Sequence, residues 1–221
     1  MKVVLTEGTS RLGVRLADAL AQHHSVVVLE GAFRPHAGKW SPAAAAELGK
    51  RLHDLTVLVH IPPLLWESPA TSPEEEQEQL DVGTRQLYDL LGVAVQQGVK
   101  SILYVGSLSV MDGYPKEYVV TEYWRPSPMP NSRDLGLYLG ELVVREFARQ
   151  HRTSALCLRV DEAVWEGDPA LVDSLVLLCV QAVESKPGEG VFLVRHVGVQ
   201  TLRQHGATAG QSAASDEVER R

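Results

Sequence analysis

Cysteine is almost absent: Cys157 and Cys179 are the only two, and both lie in apolar runs. Small buried side chains are expected there rather than a disulfide or a reactive thiol. No apolar stretch reaches the ~18 residues of a membrane span, and Met1 opens almost directly into a short strand-like run, without a basic-then-apolar leader. A cytoplasmic protein is therefore the expectation, with no membrane partner. Basic residues are the minority, 21 Lys and Arg against 28 Asp and Glu for a net charge of −7. None of them cluster into a patch that would neutralise a phosphate backbone, which argues against nucleic acid. The eight histidines lack metal-ligand spacing, so no metal is expected.

What is present points to a single layered core. With 221 residues and 44% hydrophobic content, the chain is long enough to bury one α/β domain and too short for two. Short β-branched runs at 3–5, 25–29, 56–61, 101–105 and 155–158 read as buried parallel strands. Between them lie helical stripes. Leu12, Leu16 and Leu20 recur every fourth residue, and Leu80, Leu87, Leu91 and Ala94 form a second stripe. Ser72 and Pro73 mark the start of that second helix, and Glu74, Glu75 and Glu76 suit its positive end. Further helices are expected over 134–150 and 169–184, with a last strand at 191–194 after Pro187 and Gly188. This alternation predicts the α/β class, a Rossmann-like doubly wound parallel sheet flanked by helices with a reduced C-terminal appendage. The expected division is 1–165 for the sheet domain, 166–203 for the appendage and 204–221 for a frayed tail.

Glycine is lacking where its absence says most. Directly after the first strand, Thr6-Glu7-Gly8-Thr9-Ser10-Arg11-Leu12-Gly13 occupies the place of a dinucleotide-binding loop. In such a loop one glycine makes the tight turn, one lets the backbone approach a pyrophosphate, and one lets the helix pack on the strand. Those positions read Glu7, Ser10 and Gly13. Gly8, Thr9, Ser10, Arg11, Leu12 and Gly13 are the candidate cofactor-binding residues of the loop. A carboxylate at Glu7 held ~4 Å from a phosphate oxygen would cost on the order of 4 kcal/mol at an effective dielectric of ~20. The Ser10 side chain narrows the approach, although its hydroxyl could also donate a hydrogen bond.

Several further segments follow in a fixed order: Glu30 closing the second strand, His60-Ile61-Pro62, the run Gly98 to Ser107, Thr121-Glu122, Gly140-Glu141-Leu142, and Leu158-Arg159. Together with the loop, this set resembles the NAD-dependent epimerase/dehydratase family, the extended short-chain dehydrogenase/reductases. The resemblance implies NAD as cofactor, with His60, Ile61 and Pro62 lining it and Glu30 on the adenine ribose. Glu30 favours NAD over NADP, while nearby Arg34 would suit a 2′-phosphate. It also implies a nucleotide or nucleotide-sugar ligand, and a homodimer through helices 74–98 and 134–150.

The family's chemistry uses a hydroxyl residue, a Tyr and a Lys. Ser107 falls on the hydroxyl position, with a strand-end cap as its other reading. Counting back from Gly140, the Tyr and Lys positions fall on Arg133 and Leu137. Arginine stays protonated and is a poor general base, and leucine carries no charge to perturb a phenol. Tyr138 is the substitute candidate. It lies five residues from the expected position, roughly 140° around a helix of 3.6 residues per turn, and a structural tyrosine is its other reading. Two functions follow: an enzyme of this family with weak or lost hydride transfer, or a non-catalytic module that senses a nucleotide or binds a protein.

Overall fold

All the expected strands pair in one parallel sheet. The computed structural model describes residues 1–29, 42–66, 68–151, 153–166, 168–185 and 188–202. Its strands are β1 (Lys2–Thr6), β2 (Ser25–Leu29), β3 (Val57–His60), β4 (Ser101–Ser107), β5 (Ser154–Val160) and β6 (Phe192–Val197). They lie in the order β2-β1-β3-β4-β5-β6, every neighbouring pair parallel. Burial on both faces explains their apolar character: every residue of β3, and all of β4 except Ser101, is buried. The sheet is a doubly wound Rossmann-like one.

Helices α1 (Arg11–Ala21) and α7 (Pro169–Glu184) cover one face. Leu12, Leu16 and Leu20 of α1 are fully buried there with Leu175 and Cys179 of α7. The other face is covered by α2 (Pro42–Arg51), α4 (Leu87–Gln96) and the C-terminal half of α5 (Ser132–His151). Both cysteines are buried and unpaired. The segment beyond residue 166 completes the sheet, since β6 pairs with β5 along its whole length and α7 packs on the adjoining face. The frayed tail expected over 204–221 lies outside the described residues. Among those described, no helix is long and apolar enough to cross a membrane.

The second helical stripe is interrupted in a way the periodicity did not show. Helix α3 (Pro73–Asp81) is capped by the Ser72 hydroxyl, which accepts from the Glu75 N–H at 3.2 Å. It then widens into a π-turn over Val82–Gln86 before continuing as α4. Within this turn, a Cβ on Gly83 would stand 2.2 Å from the Gly136 carbonyl oxygen of α5. The two helices therefore meet backbone to backbone. Ala94 is fully buried in the core and unavailable to a second subunit, while Val95, Leu139 and Val143 are half-buried.

Candidate functional site

β1 and β3 are neighbours whose connections leave in opposite directions, the chain returning to β2 on one side and to β4 on the other. This is a topological switch point, and in open α/β sheets the crevice beyond the strand carboxyl ends there is where ligands sit. The loop after β1 and the residues after β3 flank it.

The two strand ends are clasped by one hydroxyl. Thr6 Oγ1 accepts the Ile61 N–H at 3.0 Å, donates to the Ile61 carbonyl at 3.3 Å, and lies 3.1 Å from His60 Nδ1. Burial drives the His60 pKa from 6.5 down to about 3, so the imidazole is neutral near pH 7. Its ring lies 5.7 Å from that of Tyr104. Ile61 and Pro62 are buried, and the Pro62 carbonyl accepts the Leu65 N–H at 3.2 Å, opening a tight 3-10 turn over Pro63–Trp66.

The loop after β1 keeps a glycine-type backbone despite its sequence. Glu7 adopts φ +52°, the left-handed region that glycine occupies without strain. Its carbonyl accepts from Ser10 twice, from the backbone N–H at 3.1 Å and from the hydroxyl at 2.8 Å. Ser10 Oγ also accepts the Gly13 N–H at 3.0 Å and so caps α1. The loop's own two glycines are required sterically. A Cβ on Gly8 would lie 2.1 Å from Val28 Cγ1 of β2, and one on Gly13 would lie 2.2 Å from the Glu7 carbonyl oxygen. Thr9 and Arg11 are exposed and Leu12 is buried in the core. Glu30 and Arg34 lie outside the described residues.

At the end of β4, Ser107 is fully buried, and its hydroxyl accepts the Ser109 N–H at 3.0 Å, capping a 3-10 turn over Leu108–Met111. The next hydroxyl, Ser109, donates to Asp134 Oδ1 at 2.8 Å. Asn131 and Asp134 cap the start of α5 reciprocally, the Asn131 amide donating to Asp134 Oδ2 at 2.7 Å and the Asp134 N–H to Asn131 Oδ1 at 2.9 Å. That spacing is a capping-box pattern, a signal by which the sequence could have identified Asp134.

Arg133 is bound on every side. Its Nε donates to the Leu64 carbonyl at 3.1 Å, Nη1 to Asp134 at 3.1 Å, and Nη2 to Glu162 at 2.5 Å and the Leu65 carbonyl at 3.5 Å. One side chain thus ties α5 to the turn after β3 and to α6 (Glu162–Glu166). The Asp112 carboxyl beside this network is pushed above its usual range, first by burial and then by the charges of Asp134 and Glu162. Leu137 is fully buried, and its carbonyl accepts the Tyr104 hydroxyl at 3.1 Å.

Tyr138 is half-buried against the core on the α7 side and makes no hydrogen bond among the described residues. Arg159 and Glu141 form a buried, bidentate pair, Nη2 to Oε2 at 2.8 Å and Nε to Oε1 at 2.9 Å. Arg159 Nη1 lies 3.3 Å from His196 Nε2, which must therefore accept, since arginine only donates. Burial lowers the His196 pKa, and the Arg159 charge lowers it further. A separate cavity of about 390 Å³ lies between α7 and β6, lined in part by Leu178, Leu193 and Arg195, and no residue of the loop lines it.

No protein-family model matches the sequence, and no curated protein matches it. Solved structures do resemble it in three dimensions. A UDP-glucuronic acid 4-epimerase from Bacillus cereus, in complex with UDP-glucuronic acid and NAD, superposes with a TM-score of 0.68 at 17% identity, over 90% of this chain and 77% of that one. A UDP-glucose 4-epimerase from Thermotoga maritima, with UDP-glucose, gives 0.66 at 17% identity, over 89% and 76%. A dTDP-glucose 4,6-dehydratase from Streptomyces venezuelae, with NAD bound, gives 0.64 at 14% identity, over 97% and 81%. The chain has the Rossmann-like fold that these solved sugar-nucleotide enzymes share.

Proposed function

We propose that this chain is a diverged, extended short-chain dehydrogenase/reductase that presents a nucleotide to its switch-point crevice and carries weak or no hydride-transfer activity. The observation that carries this reading is Arg133. It stands at the position where the family's resemblance calls for the acid/base tyrosine, and its guanidinium is spent on the Leu64 and Leu65 carbonyls, Asp134 and Glu162. Leu137, at the lysine position, is fully buried and uncharged. Ser107 caps its own turn, and Tyr138 makes no hydrogen bond to it. No proton relay is assembled from these groups.

NAD, bound in the epimerase and the dehydratase that share the fold, is the nucleotide to test first. The α1 end of the crevice suits a tightly held diphosphate poorly. The first N–H groups of a helix have no intrahelical acceptor, and of those in α1 the Gly13 N–H is taken by Ser10 Oγ. A nucleotide-responsive or protein-binding role fits this arrangement better than turnover, and the half-buried Val95, Leu139 and Val143 suit a homodimer through helices 74–98 and 134–150.

Calorimetric titration with NAD, NADH and NADP, combined with a reduced-nicotinamide absorbance assay on UDP-glucose and UDP-glucuronic acid, tests the reading. The expected result is weak, saturable NAD binding without turnover. Robust turnover that disappears in Tyr138→Phe would overturn the loss of chemistry, and no saturable binding at millimolar nucleotide would overturn the nucleotide.

A further inference from the structure

The geometry points to a further binding site, away from the switch-point crevice, that takes a small carboxylic acid with an unbranched apolar tail. It is the cavity of about 390 Å³ between α7 and β6, a size within the ~300–1,000 Å³ of small-molecule sites. Its floor is the apolar face of three strands: Leu103 of β4, Leu156 of β5 and Leu193 of β6 lie side by side in register. Leu178 of α7 closes one wall. Ser101, the first residue of β4, and Ser185, just past the end of α7, also line the cavity, which therefore opens at the amino ends of the strands. The nucleotide crevice lies beyond the carboxyl ends. Leu193 is 45% exposed, a large apolar side chain left facing this space.

The polar lining selects the other end of the ligand. Arg195 stands two residues after Leu193 on the same face of β6, and its exposed side chain makes no hydrogen bond or ion pair among the described residues. No Asp or Glu lines the cavity, in a chain whose net charge is −7. The side chains of Ser101 and Gln181 line it as well, and neither has a hydrogen-bond partner among the described residues. One guanidinium fork beside neutral hydrogen-bonding groups matches a single carboxylate. A diphosphate would meet one cation only and set its remaining charge against leucine, at a large desolvation cost. With the carboxylate at Arg195 on the sheet edge, the tail runs inward over Leu193 and Leu156 to Leu103. Two strand spacings of ~4.8 Å make that path about 10 Å, the reach of a medium-chain acid such as octanoate.

Titration of the full chain with octanoate, butanoate and octanol, read by calorimetry and by the methyl NMR signals of Leu178, Leu193 and Val197, tests the site. Octanoate should bind saturably and move those signals, with affinity rising about fourfold for each methylene added from butanoate. Octanol, which keeps the tail without the charge, should bind about tenfold more weakly. Arg195→Gln alters an exposed side chain, and it should lower octanoate to the level of octanol while leaving octanol unchanged. Octanoate affinity indifferent to Arg195→Gln would overturn the carboxylate head, and affinity indifferent to chain length would overturn the tail. Unmoved methyl signals at millimolar octanoate would overturn the site itself. So would contacts onto Leu193 in the ligand-free protein from a second copy or from residues 203–221, since the groove would then be filled by protein. No nucleotide takes part in these measurements, so their outcome is independent of whether NAD binds.

Discussion

His60 makes the fold acid-sensitive over a defined window. It is buried at the end of β3, pressed against Thr6 and the Tyr104 ring, and its pKa falls from 6.5 to about 3. In the unfolded chain it titrates near 6.5, so below that pH the unfolded state binds a proton that the native state refuses. Its share of stability is intact above pH 6.5, declines as the pH falls from 6.5 toward 3, and then levels off. Each pH unit in that window costs about 1.4 kcal/mol, so lowering the pH to 4.5 removes roughly 2.7 kcal/mol through this residue alone. Carboxylates titrate in the same range, and a variant separates them. Urea unfolding of wild type and His60→Gln at pH 7 and pH 4.5 gives the difference: wild type should lose more stability on acidification than the variant, by on the order of 2 to 3 kcal/mol. Equal losses would refute the reasoning, and so would an NMR titration in which His60 protonates near pH 6 in the folded protein.

Other groups give sharper structural tests. Arg159→Met strands the Glu141 carboxylate, which is 3% exposed. It should cost about 3–5 kcal/mol by thermal or urea unfolding, with much of the loss recovered in the Arg159→Met/Glu141→Leu double variant. Gly83→Ala drives a methyl into the Gly136 carbonyl and should destabilise by about 1–3 kcal/mol. Gly92→Ala, in α4 beyond the π-segment and facing open space, should instead stabilise by about 0.5–1 kcal/mol through helix propensity. Ser72→Ala removes the α3 cap and should cost about 1 kcal/mol.

Much of this molecule is written in local pattern. Apolar runs too short for helices became the strands, and leucines at fourfold spacing became the buried stripe of α1. Ser72 and Pro73 opened α3, and Asp168 and Pro169 opened α7 by the same rule. Each signal acts within a few residues, through side-chain period or a cap, so the order of residues is sufficient to read it. Helix α2 and the π-turn at Val82–Gln86 did not stand out in the sequence. Gly83 of the π-turn packs closely on Gly136, which lies in another helix.

The site divides along the same line. Sequence alone marked the loop at Glu7–Gly13 and the residues after β3 as candidates, and the family resemblance puts its Tyr and Lys positions on Arg133 and Leu137. Only the tertiary structure decided what these residues do. It gave Glu7 a glycine-like backbone, folded Ser10 back onto Gly13, and joined Thr6 to Ile61 across two strands. It bound Arg133 to carbonyls roughly 70 residues earlier and to Glu162, and it closed Arg159 on Glu141 inside the core. A hydrogen bond or ion pair depends on which atoms meet and how far water is excluded, and for partners so distant along the chain that is settled only when the sheet has formed.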